Sequence, residues 1–183
     1  VNEAAAGVVT YNNTLQSWSD FGIGRQGGET WNGDILEVIA YNTDVNSAQR
    51  IIVSNYLAAK YNLTLTSNEL YTMDNGGNGN YDFEVAGIGR VDASNIHDDA
   101  QGSGLVRVLS PDDLEDNEFM LWGHDNGALT MTTTGVPYNV TSLLTRRWRI
   151  SESGGDGNVG SVSIRFDVTG ITDFTSLSNC EAA

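Results

Sequence analysis

Two histidines, one cysteine and several acidic pairs are the groups in this chain with the chemistry for a reactive site. His97 and His124 stand 27 residues apart in unrelated contexts, with no His-x-x-x-His or His-Glu-x-x-His spacing, and Cys180 is distant from both. A transition-metal centre needs converging imidazole or thiolate ligands, so none is expected. His124 sits in Trp122-Gly-His-Asp-Asn-Gly127, where a strand should run into a turn, and its expected role is structural. Asp34 and Glu37 have the residue types of a glycosidase pair. Three apart on a predicted strand, they point to opposite faces and cannot converge on one sugar. Gly-x-Ser-x-Gly is absent, and Gly76-Gly-Asn-Gly79 leads into neither Lys-Ser/Thr nor a helix, so nucleophile elbows and phosphate cradles are not expected. No catalytic residue is assigned.

Calcium is the one inorganic partner that the residues suggest. Asp74 to Asp82 supplies carboxylates and amides in a Gly/Asn loop, the oxygen chemistry that a hard cation takes. An EF-hand register starting at Asp74 fails, because position 3 is Gly76 and position 12 is Val85. A looser site built from Asp74, Asn78, Asn80 and Asp82 is the candidate, against the alternative of a solvated hairpin. Asp98-Asp99 and Asp112-Asp113 are weaker, and the second follows Pro111 as a turn would.

These groups need a frame, and composition describes it. The chain has 183 residues, 39% of them hydrophobic, enough for one large domain or two small ones. A net charge of −15 argues against nucleic acid and against an anionic membrane surface. It suits high solubility, or saline and calcium-containing surroundings. No run approaches the roughly 18 apolar residues of a membrane helix, so no membrane insertion is expected. With no initiating Met or cationic leader, Val1-Asn2-Glu3 reads as a mature or cut end.

Short alternating runs between Gly/Asn/Asp clusters predict an all-β protein. Strands are expected at Gly7–Tyr11, Ile35–Tyr41, Phe83–Arg90, Leu105–Leu109, Phe119–Gly123, Leu129–Thr133, Thr145–Ser151 and Gly160–Val168. Trp148 and Ile150 alternate with Arg147 and Arg149, as in a half-buried strand, and Trp122 and Trp148 are expected in the core. One helix is expected over Asn46–Tyr61. Asn46 caps it with Gln49 completing a capping box, Asn62 ends it, and Ile52, Val53, Tyr56, Leu57 and Tyr61 form its apolar stripe. That stripe is expected to pack on the Ile35–Tyr41 strand.

Two stretches resemble known families. Gly22-Ile-Gly-Arg25, Trp31-Asn-Gly-Asp-Ile-Leu-Glu-Val-Ile-Ala-Tyr-Asn42 and the helix ending Tyr56-Leu-Ala-Ala-Lys-Tyr61 resemble the end of a laminin-G-like, concanavalin A-like jelly roll of secreted bacterial proteins. Tyr81-Asp-Phe-Glu-Val-Ala-Gly-Ile-Gly-Arg90, Phe119-Met-Leu-Trp-Gly-His-Asp-Asn-Gly127 and Arg146-Arg-Trp-Arg149 are similar to a β-domain that follows such jelly rolls in surface proteins of the type IX secretion route. Where that family has an acidic pair after Gly-Ile-Gly-Arg, this chain has Val91-Asp92.

The resemblance implies the closing strands and helix of a jelly roll over residues 1–62, a linker or exposed loop over 63–80, and a second β-sandwich over 81–183, truncated at its C-terminus. It implies an extracellular or cell-surface location and a non-catalytic role in adhesion or scaffolding, the alternative being a carbohydrate-binding module attached to a secreted hydrolase. Lectin-type jelly rolls hold sugars on exposed aromatics, which makes Trp18 and Trp31 the candidates for glycan contact. An incomplete jelly roll would recruit other chains or copies of itself by strand addition. Cys180 is the residue that could lock such an assembly through an intermolecular disulfide.

Overall fold

A computed structural model describes residues 25–26, 29–30, 32–102 and 104–174. The Gly7–Tyr11 strand, Trp18, Trp31 and Cys180 lie outside these residues. The chain divides into two compact units, residues 2–44 and residues 45–183. In the first, β1 (Arg25–Gln26) and β2 (Glu29–Thr30) form a short antiparallel ladder. Ile35–Tyr41 forms no strand. Ile35, Leu36, Val38, Ile39 and Tyr41 are all exposed, so the strand expected there to receive the helix is not formed.

Among its described residues the second unit is all-β with one helix, α1 (Ser47–Tyr61). Its strands are β3 (Phe83–Asp92), β4 (Asn95–His97), β5 (Asp99–Gln101), β6 (Val106–Leu109), β7 (Glu118–His124), β8 (Met131–Thr132), β9 (Leu143–Leu144), β10 (Trp148–Ser153) and β11 (Ser163–Phe166). One antiparallel sheet has the order β10-β7-β3-β4 and a second the order β11-β6-β5, while β8 and β9 form a small hairpin. Alternation along β3 and β7 gives the first sheet two apolar faces. Ala86, Ile88, Met120 and Trp122 face the second sheet, where Ala100, Val106 and Val108 complete a sandwich core with Val159. Val85, Phe119 and Leu121 face the other way, toward Ala48, Ile52 and Ala59 of α1. The result is three layers, with β7 buried at all seven positions.

The caps of α1 are as the sequence reads. Asn46 Oδ1 accepts from the Gln49 N–H and Gln49 Oε1 accepts from the Asn46 N–H, a reciprocal capping box. Asn62 ends the helix at φ 50°, ψ 53°, and the Leu63 N–H reaches back to the Ala58 carbonyl. The buried face, however, is rotated from the expected stripe. It runs Ala48, Ile52, Asn55, Ala58 and Ala59, with Val53 and Leu57 only half-buried. On the facing strand, Gly87 and Gly89 make room for side chains of the neighbouring β7, since an added Cβ would overlap Leu121 and Phe119.

Residues 63–80, expected as a linker, also contribute to the core. Leu65 and Tyr71 are buried, and Leu70 and Met73 pack on the helix side of the sheet. Asn55, 2% exposed, fixes this segment. Its Nδ2 donates to the Ile51 and Asn68 carbonyls, and its Oδ1 accepts from the Leu70 and Tyr71 N–H groups at 2.8 and 3.0 Å. Extended segments whose backbone joins no sheet need such partners when buried.

Candidate functional site

The densest polar cluster grows out of an irregularity in β3. Phe83 pairs with His124 and Ala86 pairs with Trp122, so β3 carries an extra residue between them. Glu84, at this bulge, adopts φ 50°, a region uncommon for a residue with a side chain. The bulge turns Glu84 toward the sandwich interior, where its Oε2 lies 2.9 Å from His124 Nε2. On the other side of the ring, the Asn126 N–H donates to His124 Nδ1 at 2.9 Å. Because Nδ1 accepts, the proton of a neutral imidazole sits on Nε2 and is donated to Glu84; this network assigns the tautomer. Arg146 Nη1 stands 3.9 Å from the same Glu84 oxygen, and its Nε donates to the Gly127 carbonyl.

Aromatic rings enclose the cluster. Phe83 stacks on the His124 ring at 5.9 Å, Trp148 meets it edge-on at 5.9 Å, and Phe166 meets Trp148 edge-on at 6.2 Å. His124 is 2% exposed and has both nitrogens occupied, so it orders the turn that follows rather than presenting a free base to solvent. The turn is as expected in type but not in detail. Asp125 Oδ1 accepts from the Gly127 and Arg147 N–H groups, while the left-handed residue is Asn126 at φ 56°. Gly127 is needed for closeness instead, since a Cβ there would fall 2.8 Å from the Arg146 Cα. Replacing Glu84 with Ala strands the His124 Nε2–H in the interior. The expected loss is about 1–3 kcal/mol of unfolding free energy, read by urea titration.

A second buried carboxylate has no counterpart in the sequence reading. Glu118 is fully buried at the start of β7. Its Oε2 accepts from the Glu115 N–H at 2.9 Å and its Oε1 from the Asn158 N–H at 3.0 Å. It thereby ties the turn before β7 to the loop joining β10 and β11. Gly154, at φ 82° in that loop, leaves no room for a Cβ against the Asn117 carbonyl. Beside it, Asp112 and Asp113 line a shallow depression with Asn158, Gly160 and Ser161. Their backbones bond across it: the Asp112 N–H donates to the Ser161 carbonyl and the Asp113 N–H to the Val159 carbonyl. Asp99, the partner of Asp98 in the other acidic pair, holds Arg107 through two short hydrogen bonds.

The Asp74–Asp82 loop is a self-bonded turn. Asn75 Nδ2 and Asn78 Nδ2 both donate to the Thr72 carbonyl, Asn75 Oδ1 accepts from the Asn78 N–H, and the Tyr81 N–H donates to the Met73 carbonyl. Asn80 takes the left-handed conformation at φ 54°. Tyr71 donates its hydroxyl to the Tyr81 carbonyl at 2.6 Å, and burial pushes its ionisation up. Burial, reinforced by the Asp82 charge, also holds the Asp74 carboxyl above its ordinary value. Asp82 Oδ1 is buried without a hydrogen-bond partner. Among the described residues no group of three or more His, Cys, Asp or Glu is placed to hold a metal ion.

A raised acid binds protons more tightly folded than unfolded. Asp74 therefore costs stability as the pH rises from the ordinary carboxylate value of 3.8 through its folded value. Asp74→Asn is expected to melt higher than the parent at pH 7 in chelator, with the gap closing near pH 3. A scan of melting temperature against pH checks the sign.

Among the described residues no helix is long and apolar enough to cross a membrane. No curated protein and no solved structure matches the chain. Over residues 108–180, less than half its length, the chain is similar to a family described as a domain of unknown function (DUF8202), a stretch that holds Glu118, His124 and Arg146 but not Glu84 or Asn55.

Proposed function

We propose that the chain is a non-catalytic extracellular module of a bacterial cell-surface protein, serving adhesion or a structural scaffold. The observation that carries the reading is the use to which the buried polar groups are put. Asn55, Glu118 and His124 each spend their hydrogen-bonding capacity on backbone groups or on a neighbouring side chain. A general base must reach a substrate proton, and a nucleophile must be activated by an adjacent base. Groups fully engaged with their own loops hold a framework instead. The acidic surface fits an environment of salt and divalent ions, where self-repulsion is screened.

Antibodies raised against the folded chain test the location. Labelling of intact cells from the native source, removed by brief external protease treatment, supports the reading. Labelling that appears only after permeabilisation overturns it. A glycan array tests the role: saturable sugar binding that is lost with Trp18→Ala would replace the scaffold with a carbohydrate-binding module.

A further inference from the structure

The start of α1 is docked on the hairpin of β3 and β4 by polar contacts. Ser47 donates its backbone N–H to Asn95 Oδ1 at 3.0 Å, and Asn46 Nδ2 donates to the Ile96 carbonyl at 2.9 Å. Asn95 is itself held, since its Nδ2 donates to Asp92. His97, the last residue of β4, lies opposite Gly89 of β3 and meets the capping box, with Gln49 Nε2 3.5 Å from its Nδ1.

The capping box decides which way that contact runs. Gln49 Oε1 accepts from the Asn46 N–H at 2.9 Å, which turns its Nε2 toward the imidazole. An amide nitrogen only donates, so His97 Nδ1 offers its lone pair and the ring proton sits on Nε2. A proton added to Nδ1 would set donor against donor. Gln49 could then present an oxygen only by rotating its amide and releasing the Asn46 N–H. The imidazolium would also stand beside the first turn of α1, where the helix macrodipole disfavours a cation.

We infer that protonation of His97 undocks the first turn of α1 from the β3–β4 hairpin, which makes this junction an acid-sensitive joint of the fold. The charges around the ring are few. Asp98 and Asp99 follow it in the chain and favour the imidazolium, but Asp99 is engaged with Arg107 through two hydrogen bonds. On β3, Gly89 carries no side chain, Arg90 is paired with Asp116, and Asp92 is taken up by the Ser94 N–H and Asn95. On α1, Gln49 is neutral and Arg50 is turned to the Val45 carbonyl and Ser47 Oγ. Burial outweighs the two aspartates and holds His97 below the ordinary histidine value of 6.5. A lowered base binds its proton less tightly folded than unfolded. Its contribution to stability is therefore whole above pH 6.5 and is lost as the pH falls through the folded value.

The experiment is an NMR titration of the 183-residue chain, with the histidine rings followed by long-range proton–nitrogen correlation and the α1 amides by exchange. His97 is expected in the Nε2–H form and titrating below a free histidine. Protection factors of the Asn46 and Gln49 amides should fall at least fivefold between pH 7.5 and pH 5, while those in the second half of α1 hold. His97→Asn puts a non-titrating acceptor where Nδ1 stands and should abolish the fall. Gln49→Glu keeps the cap with one carboxylate oxygen and offers the other to the imidazolium. His97 should then titrate higher than in the parent, with no loss of protection.

An Nδ1–H ring in the parent, or a titration at or above that of free histidine, overturns the inference. So does first-turn protection that holds across the titration, or that falls equally in His97→Asn. Equal loss along the whole of α1 marks global unfolding and overturns the local joint. A His97 titration left in place by Gln49→Glu shows that the cap does not sense the ring, which overturns it as well.

Discussion

Asn55→Leu is expected to lose about 3–5 kcal/mol of unfolding free energy. Leucine has the same number and branching of side-chain heavy atoms as asparagine and suits a helix, so neither a cavity nor a propensity loss accounts for the fall. The cost lies in what the side chain leaves behind. The Leu70 and Tyr71 N–H groups and the Asn68 carbonyl lose their partner inside a packed layer. Each buried backbone group left unpaired costs about 1–3 kcal/mol. Asn55→Asp separates the two halves of the role. A carboxylate can still accept from Leu70 and Tyr71 but sets a charge against the Ile51 and Asn68 carbonyls. It should therefore be destabilised at neutral pH and recover in part on acidification, as the carboxyl regains a proton to donate. Chemical denaturation of both variants between pH 4 and pH 8 checks this pattern.

Glu118→Gln is the second large effect, with an expected loss of about 3 kcal/mol despite near-identical shape. Both carboxylate oxygens accept from backbone donors, one from Glu115 and the other from Asn158. An amide accepts with one terminus only and turns a second donor toward the remaining N–H. One of the two loops must let go. The expected sign of which one is enhanced amide exchange over residues 154–158, where Gly154, Gly155 and Gly157 all sit at positive φ. Glu118→Ala should lose more, because the Glu115 N–H is then stranded beside a cavity and the Asn158 N–H keeps only its bond to Asp156 Oδ1. Denaturation midpoints with hydrogen-exchange mass spectrometry distinguish the two variants.

What the sequence made legible was local. The helix and its two caps depend on residues within a few positions of one another, and Asn46, Gln49 and Asn62 stand where their side chains and backbone require. Strands β3, β7 and β10 carry alternation strong enough to read. Ile35–Tyr41 carries an equally strong pattern and is not a strand, because a strand also needs a neighbour to pair with, and one segment cannot report its partner. The helix face was misjudged for a related reason. The largest apolar side chains suggest one stripe, but the residues that meet Val85, Phe119 and Leu121 are Ala48, Ile52 and Ala59, and the sheet, not the helix's own sequence, selects that face.

The polar cluster was half legible. His124 and its turn lie in a contiguous motif, whereas Glu84 reaches the ring from 40 positions away through a bulge that no spacing rule marks. Asn55 and Glu118 look like ordinary surface residues on a helix and at a strand start. Only the tertiary paths of residues 68–71 and 154–158 give them work. A polar residue inside an apolar stripe, as Asn55 is between Ile52 and Ala59, was the one signal present.

The position of β7 has a consequence for the order in which the fold can be assembled. Every contact layer passes through that strand, since it pairs with β3 on one side and β10 on the other and is buried on both faces. Translation delivers α1, β3, β4 and β5 first. At ~5–20 residues per second, the roughly 30 residues separating the end of β3 from the end of β7 take on the order of seconds to emerge. Throughout that interval β3 presents Ala86 and Ile88 on one face with no sandwich opposite them, and its inner edge has no ladder partner. A nascent chain paused after β5 is therefore a sticky intermediate, and slow codons or a holding chaperone between β5 and β7 would govern yield more than the final stability does.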